Sequence, residues 1–336
     1  MLKEEQHRDT ERTDTFSCVN DTGRFSRVKG SDTMIKHWQH TEIVSKQVYD
    51  DFVNHNIPIK PSEILPYNTA VYVVSELGSK RLEGIYDFHA GGIRQLKNKT
   101  APNKDLRLYL DAVSNENITI LGVDGLMGTG KTSTCIENLI KMHLSNVKVD
   151  ERVLNNPDWK PPFDAHKILI AKPAVNAGGE EYGFLPGDLK EKIAPMLKNY
   201  TQYFDRHHQS GFEMLNAAGY VEILPLGFIR GMDQENMTII VDEAQNTKEL
   251  ITVATRLANK ARIFLLGDTS PFQIDLAGNT PKKNGLTDIV DLLRGAHYFQ
   301  YIEMKSLEHI VRSDEVRDIV KRLFKKYGED PQEWLE

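Results

Sequence analysis

The sequence predicts an α/β protein: a parallel sheet with helices on both faces, preceded by a small antiparallel β unit. Three observations predict it. Apolar runs of strand length (ITILGVDG, HKILIAKPA, VEILPLGFI, MTIIVDEAQ, ARIFLLGD) recur after residue 99, and continuous apolar strands are those covered on both faces. Stretches with helical spacing, such as DLRLYLDAV, LKEKIAPMLKNYTQYF and KELITVATRLA, alternate with them, the order that gives parallel pairing through crossovers. The first of these strands runs into GLMGTGKT, Gly125 to Thr132, and from there into a helix, GKTSTCIENLIKMHL.

Residues 1–32 are rich in charged and small polar residues (KEEQHRDTERTD, SRVKGSD) and are expected to form a flexible tail. From Trp38 to Val53, the residues Ile43, Val44, Val48, Phe52 and Val53 fall at helix-compatible spacing, and Pro58, Pro61 and Pro66 end the pattern. Residues 33–65 therefore read as a short helix and connector. NTAVYVVSE and KRLEGIYDF flank Leu77-Gly78-Ser79, and IRQL follows Gly91-Gly92, so residues 66–98 read as the small antiparallel unit. The core is expected over 99–327 and a C-terminal tail over 328–336.

Composition narrows the partners. Lys and Arg number 42 against 48 Asp and Glu, a net charge of -6, which weighs against capture of nucleic acid by overall charge; a polyanion needs a local basic surface. No apolar run approaches the roughly 18 residues of a membrane span. The N-terminus, MLKEEQHRDTERTD, lacks an apolar h-region, so a cytoplasmic protein with no membrane partner is expected. Cys18 and Cys135 have neither disulfide-framework nor zinc-ligand spacing and are expected as free thiols.

GLMGTGKT fits the P-loop pattern G-x-x-x-x-G-K-[ST] in its required context between strand and helix. Gly125, Gly128 and Gly130, with Thr129 between them, let successive N–H groups point inward, and the helix beginning near Lys131, Thr132 and Ser133 adds its positive dipole end. Lys131 is expected to reach the β and γ phosphates and the Thr132 hydroxyl to ligate Mg²⁺. MTIIVDEAQ ends a buried strand in Asp242, for the Mg²⁺ shell, and Glu243, for activating a water, which favours hydrolysis over transfer. Gln245 faces either the nucleotide or the adjacent strand. LLGD puts Asp268 at the tip of the next strand, where it senses a γ phosphate or simply terminates the strand.

Candidate nucleic-acid contacts are the cations and aromatics of KNYTQYFDRHHQ: Lys198, Tyr200, Tyr203, Phe204, Arg206, His207 and His208. Against this stands a helix that buries its aromatics and exposes its histidines. Lys321, Arg322, Lys325 and Lys326 form a second basic run, equally explained by a solvated helix face. His166 and His297 read as structural.

With GLMGTGKT, KPAVNAGGEEYGFLPGDLKEKIAPML, VEILPLGFIRGM, IIVDEAQNT, LLGDTSPFQIDL and NGLTDIVDLLRG in this order, residues 100–325 resemble the PhoH family of P-loop ATPases. That family is related to superfamily 1 helicases, and many members are phosphate-starvation-inducible or phage-encoded. The resemblance implies a RecA-like core that uses ATP and Mg²⁺. It assigns nucleotide contacts to Lys131 and Thr132, metal and water roles to Asp242 and Glu243, and a γ-phosphate role to Gln273. Arg230 and Arg312 match arginines the family carries. Because one RecA-like domain fits here, the resemblance implies a homo-oligomer, a hexameric ring foremost, with Arg312 or Arg230 acting in trans at a neighbour's ATP site, and a ring that works on single-stranded nucleic acid, RNA before DNA. The alternative is a nucleotide-switched protein-binding ATPase without translocation; a P-loop kinase stands third.

The sequence departs from the family's pattern in places. Leu106 stands where helicase relatives have an adenine-reading glutamine, and Gly267 to Gln273 is two residues longer than the family's G-D-x-x-Q. Members fused to a PIN nuclease are regarded as RNA-unwinding and RNA-cleaving. Residues 1–65 are too few for that domain, so no nuclease activity is expected, although the β unit at 66–98 resembles the segment that joins nuclease and ATPase in fused members.

Overall fold

The computed structural model describes residues 15–19, 25–29, 37–78, 80–97, 100–156, 158–173, 189–229, 232 and 234–328, with only the backbone of 15–19, 25–29 and 189–197. It divides into two units, Met1–Gln95 and Leu96–Glu336.

In the first unit, β1 (Thr15–Val19) and β2 (Phe25–Lys29) pair antiparallel, with Phe16 opposite Val28, inside the stretch read from sequence as a tail. A second, four-stranded sheet has the order β3 (Thr41–Val44), β4 (Ala70–Ser75), β5 (Arg81–Asp87), β6 (Gly92–Gln95). The hairpins β4–β5 and β5–β6 are antiparallel, as the turn signals predict, but β3 adds a parallel edge. The helix expected from Trp38 therefore starts later, as α1 (Lys46–His55). Ser45 explains the boundary: its hydroxyl accepts from the Val48 N–H and caps the helix, leaving TEIV to pair as a strand. Phe52 of α1 packs on Val71, Val73, Ile59 and Ile93.

The second unit opens with α2 (Lys104–Ser114), capped by the Asn103 side chain. Its sheet has six parallel strands: β7 (Ile120–Gly125), β8 (Lys167–Lys172), β9 (Val221–Pro225), β10 (Met237–Asp242), β11 (Arg262–Gly267) and β12 (Phe299–Met304). Their order across the sheet is β12-β7-β11-β10-β8-β9. The helices are α3 (Lys131–Leu139), prolonged by a π-helical turn to Leu144, α4 (Leu189–His207), α5 (Gly211–Ala217), α6 (Leu226–Ile229), α7 (Leu250–Ala254), α8 (Gly285–Leu293) and α9 (Asp314–Lys326). Ile239, Val241, Ile263 and Leu265 pack with Leu250, Leu286 and Ile289 on one face. Ile240, Phe264 and Leu266, which alternate with them, are also fully buried, so both faces are covered.

One strand escapes the sequence reading. FQYIEM is interrupted by Gln300 and Glu303, yet as β12 it lies beside β7 with Phe299 opposite Ile120 and Met304 opposite Gly125. At the other end of the sheet, buried Arg262 donates to the carbonyls of Ile118 (2.9 Å), Val113 (2.8 Å), Ala112 (3.1 Å) and Asn115 (3.0 Å). It closes the α2 C-terminus, whose last carbonyls lack helical partners. Arg262→Ala is expected to cost about 3 kcal/mol in urea unfolding by orphaning these carbonyls, and Arg262→Lys to recover only part of it. An unchanged urea midpoint for the alanine variant would contradict this role.

Candidate active site

The strand-to-helix turn after β7 carries the phosphate-loop sequence. Gly128 and Gly130 take φ of 81° and 79°, the left-handed region open to glycine at no steric cost, and Gly130 caps α3. Thr129 is buried and its hydroxyl donates to the Leu126 carbonyl at 2.8 Å; the Ser133 hydroxyl donates to Gly130 at 3.0 Å. The Lys131 ammonium curls across the loop, donating to the carbonyls of Gly125 and, at 3.2 Å, Leu126. From α2, the buried Tyr109 hydroxyl donates to the Lys131 carbonyl at 2.8 Å, which fixes the first residue of α3.

β11 separates β7 from β10, so the carboxylates of β10 face the loop across one strand. The Thr132 hydroxyl donates to Asp242 Oδ1 at 3.1 Å, and the Tyr200 hydroxyl of α4 donates to Oδ2 at 2.8 Å. Burial, reinforced by Asp242, pushes the Tyr200 phenol far up, so it remains a donor. Glu243 adopts φ 57° and ψ 42°, a left-handed conformation uncommon for a side-chain residue and frequent at functional turns. Burial and the adjacent Asp242 raise its carboxyl above the ordinary glutamate range, against the Gln245 amide and the charges of Lys172 and Lys131.

Gln245 proves to be a hub. Its amide nitrogen donates to Glu243 Oε2 at 2.8 Å and to the Gln273 carbonyl at 3.0 Å, while its oxygen accepts from the Asp268 N–H at 3.0 Å. It therefore ties the β10 and β11 tips together, facing the adjacent strand. Asp268 is buried; its Oδ1 accepts from the Ser270 N–H and hydroxyl, and its Oδ2 has no hydrogen-bond partner. Burial raises its carboxyl, with Lys131 acting in the opposite sense.

Sequence reasoning missed a second polar cluster at the same edge. Asp124, buried inside β7, accepts from the Thr269 N–H (3.0 Å) and hydroxyl (2.6 Å), the Tyr301 hydroxyl (3.0 Å) and the Lys305 ammonium (2.8 Å). Burial alone would raise its carboxyl, but the Lys305 charge and the Thr269 donors hold it below the ordinary range. An acid within an all-apolar strand is the available signal, since a buried charge requires a partner; nothing in the sequence indicates that Lys305 is that partner.

Lys131, Thr132, Asp242, Glu243 and Asp268 thus share one edge, as the sequence predicts. Gln273 enters the cluster through its backbone: its carbonyl accepts from Gln245 and Asn246, and its N–H donates to Ser270. Arg312 is exposed on a segment laid against its own phosphate loop, where Val311 N–H donates to the Gly128 carbonyl at 3.1 Å and a Cβ at Gly128 would lie 3.4 Å from that of Arg312. Arg230 and most of the KPAVNAGGEEYGFLPGD segment lie outside the described residues.

Three of the proposed nucleic-acid contacts are corrected by the packing. Tyr200, Phe204 and His208 fall four residues apart on α4 and its end and turn inward, with His208 ring nitrogens engaging Leu144 O and the Ser210 N–H. Lys198, Arg206, His207, Lys321, Arg322, Lys325 and Lys326 are exposed, and Tyr203 is half-buried. His166 bonds the Thr238 hydroxyl at 2.8 Å and stacks on His143, and His297 meets Tyr298 edge-on. Cys135 is a buried free thiol.

Mg²⁺ favours hard oxygen donors and commonly takes one or two from protein, the rest from water and phosphate. The Thr132 hydroxyl and Asp242 carboxylate fit that demand, while the described residues contain no cluster of three or more His, Cys, Asp or Glu suited to holding a metal without a ligand's help. Among the described residues no helix is long and apolar enough to cross a membrane.

The parallel sheet and the strand-loop-helix turn define a P-loop NTPase-like fold. The chain carries a PhoH-family domain: residues 162–324 match the model for PhoH-like proteins. It is 33% identical to the PhoH-like protein of Bacillus subtilis over 66% of this chain and 65% of that one. Identity to the PhoH-like protein of Mycobacterium tuberculosis is 32%, over 67% of this chain and 58% of the other. Protein PhoH2 of Thermobispora bispora is 26% identical over 80% of this chain and 60% of its own length. The chain thus spans less than two thirds of these relatives. The large terminase of a thermophilic bacteriophage aligns over 65% of this chain and 50% of its own, at TM-score 0.37 and 11% identity, a likeness that adds nothing to the strand order itself.

Asp268 yields a pH-dependent prediction. Its folded pKa is raised, so its ionisation costs stability that is absent at low pH and grows as pH rises through the folded value. Asp268→Asn is expected to raise the Tm at pH 8, with the gain vanishing near pH 4, about the ordinary carboxyl pKa. A gain independent of pH would contradict the assignment.

Proposed function

We propose that the chain hydrolyses ATP at the Lys131, Thr132, Asp242 and Glu243 site, and does so in the cytoplasm as a ring of like subunits acting on single-stranded nucleic acid, RNA before DNA. The 3.1 Å approach of Thr132 to Asp242, with Glu243 next in the chain, carries the hydrolase reading. The loop N–H groups and Lys131 would hold the β and γ phosphates. Thr132 and Asp242 would hold Mg²⁺, which supplies charge neutralisation at the phosphate oxygens. Glu243 would take the proton of the attacking water; its raised pKa makes it a stronger base, and Gln245 pins one carboxylate oxygen and leaves the other for the water.

The exposed cations of α4 and α9, Arg322 among them in an ion pair with Asp318, would supply the local basic surface that a net-acidic chain needs for nucleic acid. Of the two arginines expected to serve a neighbouring subunit, Arg312 lies against the loop of its own chain, which supports action in cis and leaves Arg230 for the trans role. A second reading, a nucleotide-switched protein-binding ATPase, draws on an apolar groove of about 420 Å³ lined by Ile251, Ala254, Leu292 and Tyr298.

Lys131→Ala is expected to weaken triphosphate binding, whereas Glu243→Gln keeps binding and lowers kcat by at least about 100-fold. Because the Glu243 pKa is raised, the acid limb of wild-type kcat should fall at a pH above the ordinary glutamate value. Full turnover by Glu243→Gln would remove Glu243 as the base. Single-stranded RNA is expected to raise the steady-state rate several-fold at low salt, in a species whose mass is a multiple of 38.3 kDa. Indifference to RNA favours the switch, and an active monomer excludes the ring.

A further inference from the structure

We infer that Tyr200 is a positioning residue for Mg²⁺: its hydroxyl fixes the orientation of the Asp242 carboxylate and so presents one chosen oxygen, Oδ1, beside Thr132. The inference rests on the hydrolase reading and deepens it. Asp242 is the last residue of β10, in register with Leu266 of β11, and its side chain is half-buried. Left alone, a carboxylate rotates about its terminal torsion between two broad and equivalent wells. Two hydroxyls from different helices, together with the Glu243 N–H that reaches Oδ1 at 3.2 Å, remove that freedom. Thr132 of α3 approaches Oδ1 at 3.1 Å and Tyr200 of α4 donates to Oδ2 at 2.8 Å.

Packing alone does not call for a tyrosine here. Phe204, one turn further along the same inward face, is fully buried with no hydroxyl, and a phenylalanine at 200 would fill the same space. What the hydroxyl adds is the bond to Asp242. Outer partners that orient metal ligands typically contribute about 10–100-fold in metal affinity. Oδ2, occupied by a neutral donor, keeps the charge of the carboxylate available to the cation. Through Tyr200, α4, with Lys198 and Arg206 exposed on it, is joined by one hydrogen bond to Asp242, the residue that would hold the cation.

The test uses Tyr200→Phe in the full chain, with Tyr200→Trp as a control for ring packing. Thermal stability is measured against Mg²⁺ concentration at a saturating non-hydrolysable ATP analogue, and metal-free binding of a fluorescent ATP analogue is measured separately. Tyr200→Phe is expected to leave metal-free nucleotide affinity and apo Tm close to wild type while raising the half-effective Mg²⁺ concentration about 10-fold or more. An unchanged Mg²⁺ midpoint overturns the inference, as does a loss of apo stability equal to that of Tyr200→Trp with no Mg²⁺ shift, which would mark a packing role. If wild type itself shows no response to Mg²⁺ with the analogue, the hydrolase reading fails, and that result is distinct from failure of the Tyr200 role alone.

Discussion

All six strands of the large sheet run the same way, so their last residues, among them Gly125, Asp242 and Gly267, arrive at one edge. Every polar group that ends a strand must be satisfied there, in a rim made apolar from below by the sheet. In an antiparallel sheet the same ends would alternate between two edges, and a lysine following one strand would not meet an acid ending another. The site is therefore a consequence of strand direction first and of side-chain choice second.

Crowding carboxylates into that rim is unfavourable, and the chain compensates some of them and not others. Asp124 is neutralised by Lys305 and three further donors. Asp242 accepts from two hydroxyls and the Glu243 N–H. Glu243 and Asp268 are left under-compensated, with raised pKa values, and Asp268 keeps an oxygen without a partner. A buried charge without full pairing is costly to the apo fold, so the residual instability is concentrated where a phosphate, a cation and a water would be bound. Gln245 joins the tips of β10 and β11 through Glu243 and the Asp268 N–H, and any change at one carboxylate is thereby felt at the next strand.

Much of this was legible in the sequence because the relevant signals are local. The phosphate loop lies within eight consecutive residues, and Asp242 and Glu243 close an unmistakably apolar strand. What stayed hidden is non-local or is overridden by packing. FQYIEM reads as half-exposed, yet β12 is taken up beside β7 and mostly buried. TEIV continues a helical pattern, and only the Ser45 cap divides it from α1. Tyr200 is indistinguishable in sequence from a base-stacking aromatic; only its inward rotation on α4 brings its hydroxyl to Asp242. Asp124 signals that a partner exists, but Lys305 and Tyr301 become that partner only through the β12–β7 pairing.

The central claim, that the edge is built to recognise the β and γ phosphates of a nucleotide with Mg²⁺, is tested most directly by comparing equilibrium affinities of ATP, ADP and AMP for the wild-type chain by titration calorimetry with Mg²⁺. The loop, Lys131 and the Thr132–Asp242 pair predict affinity that falls sharply from the di- and triphosphates to AMP. Equal affinity for all three, or no binding by any, would contradict it.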